Sequence, residues 1–264
     1  MRPPILSTTV TDVGDDTGGQ QAGGIAERIA STITLGMLAV GERLPTEIEL
    51  ANQFGVAVAT LRKALAALRA QGIVETRRGR SGGTFVVKAP HPSEETLHSA
   101  LVHTSIVALR DLADEHVAIS SAAARLAAAR TPATAPTRLA ELAFRAREAK
   151  NGQDRSLADS RFHIEVAVLS HSQRLLTAEQ RLQAEYAPLL WSEQVGAAST
   201  QPAFSEHLAL VMAIEQGREE KAWRIAHDHV MGNVRRIIRA KLELPRTSAD
   251  AGGDPVNANE RIRR

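Results

Sequence analysis

The stretch from Arg43 to Lys88, RLPTEIELANQFGVAVATLRKALAALRAQGIVETRRGRSGGTFVVK, constrains the fold more than any other part of the chain. It reads as two short helices followed by a hairpin. Thr46 can cap a first helix, and Glu49 three residues on can close a capping box. Ile48, Leu50 and Ala51 fall near the apolar side of that helix, and Gly55 supplies a left-handed stop. A second helix starts just past Val56. Leu61, Leu65 and Leu68 give it one buried stripe, and Gly72 ends it. Ala59, Arg62, Lys63 and Ala66 lie on its opposite face, small and basic, a surface that a DNA major groove admits. IVETR and TFVVK, rich in β-branched residues, flank RGRSGG and read as a hairpin with a basic tip. The whole unit is a winged helix-turn-helix. Its eight Lys/Arg against three Asp/Glu give +5, whereas the full chain carries only +2, so the remainder sums to −3. Positive charge is therefore concentrated where phosphates would be met. A basic helical hairpin on an enzyme surface is the competing reading; the agreement of caps, spacing, wing and charge argues against it.

The run GERLPTEIELANQFGVAVATLRKALAALRAQGIVETRRGRSGGTFV closely resembles the DNA-binding domain of GntR-type bacterial transcription regulators. The resemblance implies a DNA-contacting set of Arg43, Thr46, Thr60, Arg62, Lys63, Arg80 and Gly82, with Arg62 at a position where the family has a DNA-contacting arginine. The match departs at Ile48 and Val58, where the family often holds arginine, and at Lys63, which replaces a usual acidic residue. Val58 has no polar group and can touch only a thymine methyl. The operator sequence therefore does not carry over from relatives.

Along the chain, residues 1–22 are rich in Thr, Asp, Gly and Gln without periodicity and read as a disordered tail. Ile25, Ile29 and Ile33 mark a short amphipathic helix that opens the winged domain, residues 23–88. APHPSEE provides a linker, residues 89–95, and residues 96–245 read as helix after helix. Residues 246–264 look like a second loose tail. The expected fold is mainly α: an N-terminal winged helix-turn-helix followed by an all-α bundle that binds an effector and dimerises. Aromatics at 3% and abundant Ala and Leu agree with helices. The absence of cysteine excludes disulfides and thiolate metal sites. No apolar run reaches the roughly 18 residues of a membrane span, and no signal peptide is visible, so a cytoplasmic protein is expected.

Within the helical part, Asp159 and His163 are four apart and project from one helix face. His207 precedes Gly217 by ten residues and His229 follows it by twelve. If Gly217 is the turn of an antiparallel helical hairpin, both imidazoles sit at a similar height. Three imidazoles and a carboxylate suit a divalent transition metal (zinc, nickel, manganese or iron) with coordination positions left open for a small ligand. This part resembles the FCD effector domain of FadR-like GntR regulators, through DSRFH, EHLALVMAIEQG and HDHV. That resemblance implies the metal set Asp159, His163, His207 and His229, with His227 outside it. It also implies a small-carboxylate effector. The family often carries an E-x-R-x-x-x-E pattern on its first long helix; Asp114, His116 and Ser120 stand there instead. A bidentate arginine grip is thereby replaced by at most one donor from His116. Asn233, one turn beyond His229, is a further candidate for effector binding.

The expected function is a DNA-binding regulator, in the repressor mode, acting as a homodimer on a double-stranded operator and modulated by a small organic acid at the metal. Two alternatives stay open at this level: a metal-responsive regulator, and a metal-dependent enzyme carrying a DNA-binding module. Against the enzyme, no carboxylate or nucleophile shows catalytic spacing near the four ligands.

Overall fold

The computed structural model describes residues 17–80, 82–132, 138–196 and 200–244. The winged unit opens with α1 (Thr17–Thr34), continues through α2 (Glu47–Phe54) and α3 (Val58–Ala70), and closes with strands β1 (Val74–Arg77) and β2 (Gly83–Val86). Residues 17–22, expected in the tail, belong to α1 instead. Ala22 is buried with Ile25, Ala26, Ile29 and Ile33, so the apolar stripe begins one turn earlier than the isoleucines suggested. The tail expected for residues 246–264 lies outside the described residues, as do residues 1–16.

Thr46 caps α2 through the full capping box: its Oγ1 accepts from the Glu49 amide at 3.3 Å, and Glu49 Oε2 accepts from the Thr46 amide at 2.7 Å. Gly55, at φ 66°, ends α2, and a short turn leads into α3. Leu61, Leu65 and Leu68 are completely buried, packed with Leu50, Phe54 and the isoleucines of α1. Ile48 does not join them. It is 66% exposed, because α2 turns Leu50, Ala51 and Phe54 inward and places residue 48 on the far side. The hairpin is antiparallel, with Val74 opposite Val86 and Arg77 opposite Gly83. A bridge between Arg43 and Phe85 lays the GERLP segment along its edge as a third, short strand.

Seven helices follow: α4 (Glu94–His103), α5 (Ile106–Arg130), α6 (Leu139–Glu148), α7 (Gly152–Leu169), α8 (Gln173–Leu190), α9 (Thr200–Glu215) and α10 (Glu219–Glu243). Short polar side chains start four of them. Ser93, Ser105, Asn151 and Ser172 each accept the orphan amide three residues on, at α4, α5, α7 and α8. Gly217, at φ 64°, closes α9 with paired bonds from its own amide to the Ile214 carbonyl and from the Arg218 amide to that of Ala213. The chain reverses there, and α10 runs back beside α9. Apolar clusters of α5, α6, α7, α9 and α10 form the bulk of the bundle. No helix among the described residues is long and apolar enough to cross a membrane.

Candidate metal centre and nucleic-acid interface

On the winged unit, Arg62 and Lys63 are exposed on α3, and Thr60 beside them is half-buried. The Arg62 Nε donates to Glu47 Oε2 of α2 at 2.7 Å, an exposed pair that holds the guanidinium against the face of the two-helix unit. Val58 is partly buried against the winged core. Thr46 is exposed at the start of α2, but its hydroxyl is engaged with Glu49. Arg80 is exposed at the wing tip. Gly82 has a steric role: a Cβ there would stand 2.6 Å from the Arg77 carbonyl oxygen and 2.7 Å from that of Gly79. Arg43 lies across Gly83, whose added Cβ would meet the Arg43 Nε at 2.4 Å. Arg77 lies over the Phe85 ring, 4.5 Å from its centroid. Arg62 and Lys63 on α3 and Arg80 on the wing are thus left exposed.

In the bundle, the hairpin at Gly217 brings His207 and His229 to a ring separation of 4.8 Å. Helix α7 packs across them and adds His163, 5.2 Å from His207 and 5.1 Å from His229. All three imidazoles are buried, and one nitrogen of each lies within 4.8 Å of the others. Asp159, one turn before His163, flanks this group with Oδ1 3.5 Å from His207 Nε2 and Oδ2 4.0 Å from His163 Nε2. His227 faces elsewhere: it is half-exposed, stacks on Trp223 and pairs with Asp228.

The surroundings decide what this cluster can hold. Asp159 Oδ1 and both ring nitrogens of His207 are buried without a hydrogen-bond partner. Buried polar atoms are ordinarily satisfied, so the free lone pairs of Asp159 Oδ1 and of one His207 nitrogen fit a bound cation. The Phe162 ring stacks on His207 at 4.1 Å and fixes its plane. His229 Nδ1 donates to Glu206 Oε2 at 2.6 Å, which leaves Nε2 as the lone-pair nitrogen; Asn233 Nδ2 donates to it at 3.0 Å. A carboxylate behind a ligating histidine sets its tautomer in this way. Burial holds His163 near pH 4, with the His229 charge adding and Asp159 opposing, and burial likewise pushes His207 well down. Both are neutral at physiological pH, the form in which an imidazole can bind a metal.

Beside the imidazoles lies a second buried polar group. Glu179 accepts from Ser120 Oγ at 2.7 Å and from Gln183 Nε2 at 2.8 Å, and His116 Nε2 is 3.5 Å from the same carboxylate. Burial pushes the Glu179 carboxyl up, but the bond and charge of His116 outweigh it, so it stays below its usual range. His116, expected at the effector, is therefore already engaged with Glu179 and packs edge-on to Tyr186. Asn233 touches the cluster directly, and its Oδ1 accepts from half-buried Arg236. Glu206, Asn233 and Arg236 line an open pocket of about 470 Å³ beside α9 and α10.

Two family models match this chain: "Bacterial regulatory proteins, gntR family" over residues 21–86 and "FCD domain" over residues 111–232. A Mycobacterium gastri protein designated an HTH-type transcriptional regulator, RmpR, is 47% identical over 227 residues, spanning 85% of this chain and 83% of that one. The chain belongs to the GntR family of bacterial transcription regulators. The Glc operon transcriptional activator of Escherichia coli K12 is 28% identical over 235 residues, covering 83% of this GntR-family chain and 89% of its own. Among solved structures, E. coli McbR/YncC overlaps at TM-score 0.49 and 16% identity, over 83% of this chain and 97% of that one. The domains and both curated relatives belong to transcription regulators rather than enzymes.

Sequence reasoning on this GntR-family chain missed Glu206, Glu179, Gln183 and Arg236. Glu206 had a signal: it lies eleven residues before Gly217 and His229 twelve after, so hairpin register places them side by side. Arg236 had one too, three residues beyond Asn233 on α10, whereas Glu179 and Gln183 depend on α5 and α8 meeting across a long sequence distance, which no spacing encodes.

Proposed function

We propose that this regulator holds a divalent transition metal on His163, His207, His229 and Asp159, and that a small organic acid bound there modulates operator binding. The observation that carries the reading is the cluster of three neutral, buried imidazoles beside a carboxylate, with partnerless acceptors at its centre. Such an ion supplies a Lewis-acidic position for a carboxylate oxygen. Arg236, half-buried beside Asn233 at the open pocket, offers the second grip that His116, engaged with Glu179, does not. The mode is repression by a homodimer in the cytoplasm, since occupancy of an operator suffices to block transcription, whereas activation needs a further contact. Two recognition helices would then enter successive major grooves, with Arg43, Arg62, Lys63 and Arg80 facing the duplex.

The test is elemental analysis of purified protein beside operator titrations. About one ion per chain in the parent and little in His207→Ala is expected, with operator affinity kept and the response to organic acids lost. Parent protein that holds no ion, and whose melting is unmoved by added zinc or nickel, would refute the metal. Operator affinity that tracks the ion alone would make the metal itself the signal.

A further inference from the structure

A cavity of about 210 Å³, lined by none of His163, His207 and His229, lies at the seam between the winged unit and the bundle, with His91 on its wall. Its walls come from both sides: Leu38, Ala89 and Pro90 from the winged unit and its exit, and Ser160, Arg161 and Gln183 from α7 and α8. Leu35, in the turn after α1, is buried among Ala123, Ile164, Ala167 and Leu176 of the bundle and fixes the seam beside it. Arg161 reaches across, and its Nη2 donates to the Gly36 carbonyl at 2.5 Å. Gly36 is at φ 65°, and a Cβ there would stand 2.3 Å from that nitrogen.

One group on the cavity wall is incompletely matched. Arg161 is half-buried, yet among the described residues its hydrogen bond is to a carbonyl and no carboxylate lies within ion-pair distance. The charged groups that act on it are Arg138 and Arg145, both cations. A half-buried cation without a counter-charge calls for an anion, and the apolar walls call for a short hydrocarbon body.

We infer that this seam is a second small-molecule site, separate from the metal centre, for an organic carboxylate with a short hydrocarbon chain. Arg161 takes the carboxylate, and the chain of the ligand lies against Leu38 and Pro90. Because the walls belong to both units, an occupant fastens the winged unit to the bundle. The site does not require the metal.

The test is calorimetry on the full-length protein with two probes, hexanoate and hexan-1-ol. Saturable binding of hexanoate at one per chain is expected, with no heat from the alcohol. Arg161→Leu should abolish binding of the acid, and Arg161→Lys should weaken it. His207→Ala should bind hexanoate as the parent does, which separates this site from the metal centre even if that centre holds no ion. Absence of saturable binding to the parent, or affinity unchanged in folded Arg161→Leu, would overturn the proposal. So would binding that survives Arg161→Leu and disappears in His207→Ala, since the acid would then occupy the histidine cluster.

Discussion

The winged unit and the bundle bury different kinds of atoms. In the first, α1, α2, α3 and the hairpin enclose aliphatic side chains and Phe54, while Arg62, Lys63 and Arg80 stay in solvent. In the second, Asp159, His163, His207, His229, His116, Glu179, Gln183 and Asn233 all lie at the centre of the helices. Buried polar groups destabilise unless they are paired. The winged unit is thus organised for a contact made outside it, and the bundle for a contact made within. A regulator needs both: a rigid surface to read DNA, and an interior whose energy depends on what occupies it.

The sharpest way to separate the two is to damage one core. Leu61→Ala removes a completely buried side chain from the winged unit and should cost about 2–5 kcal/mol there. Operator binding should fail while α5, α7, α9 and α10 keep their hydrogen-exchange protection. Equal loss of protection in both units would mean that they unfold as one body, and the contrast would fall.

Acid should strike the other side. In metal-free protein, His163 titrates near 4 when folded, because burial disfavours its charge, and near 6.5 when unfolded. Between those values the unfolded chain binds the proton and the folded one does not, so stability falls as pH drops through that window. The gap is worth about 3 kcal/mol, and His207 acts in the same direction. Thermal melts at pH 7 and pH 4.5 would register it. A melting temperature independent of pH would mean that the imidazoles are not buried as described.

Glu206→Gln tests the wall of the centre. The amide cannot hold the His229 tautomer as the carboxylate does, and metal affinity should drop about 10–100-fold. A chelator competition that gives the parent's affinity would reduce Glu206 to a solvated neighbour. The smallest effects belong to the surface. Arg62→Ala and Arg80→Ala should each weaken binding to every DNA sequence and lower the salt slope by about one. Stability should change by less than about 1 kcal/mol even where the Arg62–Glu47 pair is lost, because that pair is exposed. An unchanged salt slope in Arg62→Ala would remove α3 from the groove.

Legibility in the sequence followed the range of the interactions. The caps at Thr46 and Gly55, the leucine stripe and the hairpin are local, and the structure has each of them where spacing put it. Ile48 was misplaced because a helix as short as α2 carries too few apolar residues to fix its rotation. The pairing of Asp159 with His163 followed from one helix repeat and that of His207 with His229 from one glycine turn; the joining of the two pairs was implied only by the family resemblance. Their neighbours Glu179 and Gln183 did not follow from either, nor did Arg161 reaching Gly36, 125 positions away. Those contacts exist only once separate helices have docked.

The turn at Gly217 also sets an order of events in time. His207 and His229 share one hairpin and can meet as soon as α9 and α10 zip together on nearby contacts. His163 and Asp159 arrive on α7, which must dock from a distant part of the chain. A nascent chain therefore offers an ion only two imidazoles, a site too weak to retain it, until the third helix is seated. If the cluster holds the proposed metal, its capture is a late event in biosynthesis, and a retained ion would mark a bundle that has finished folding.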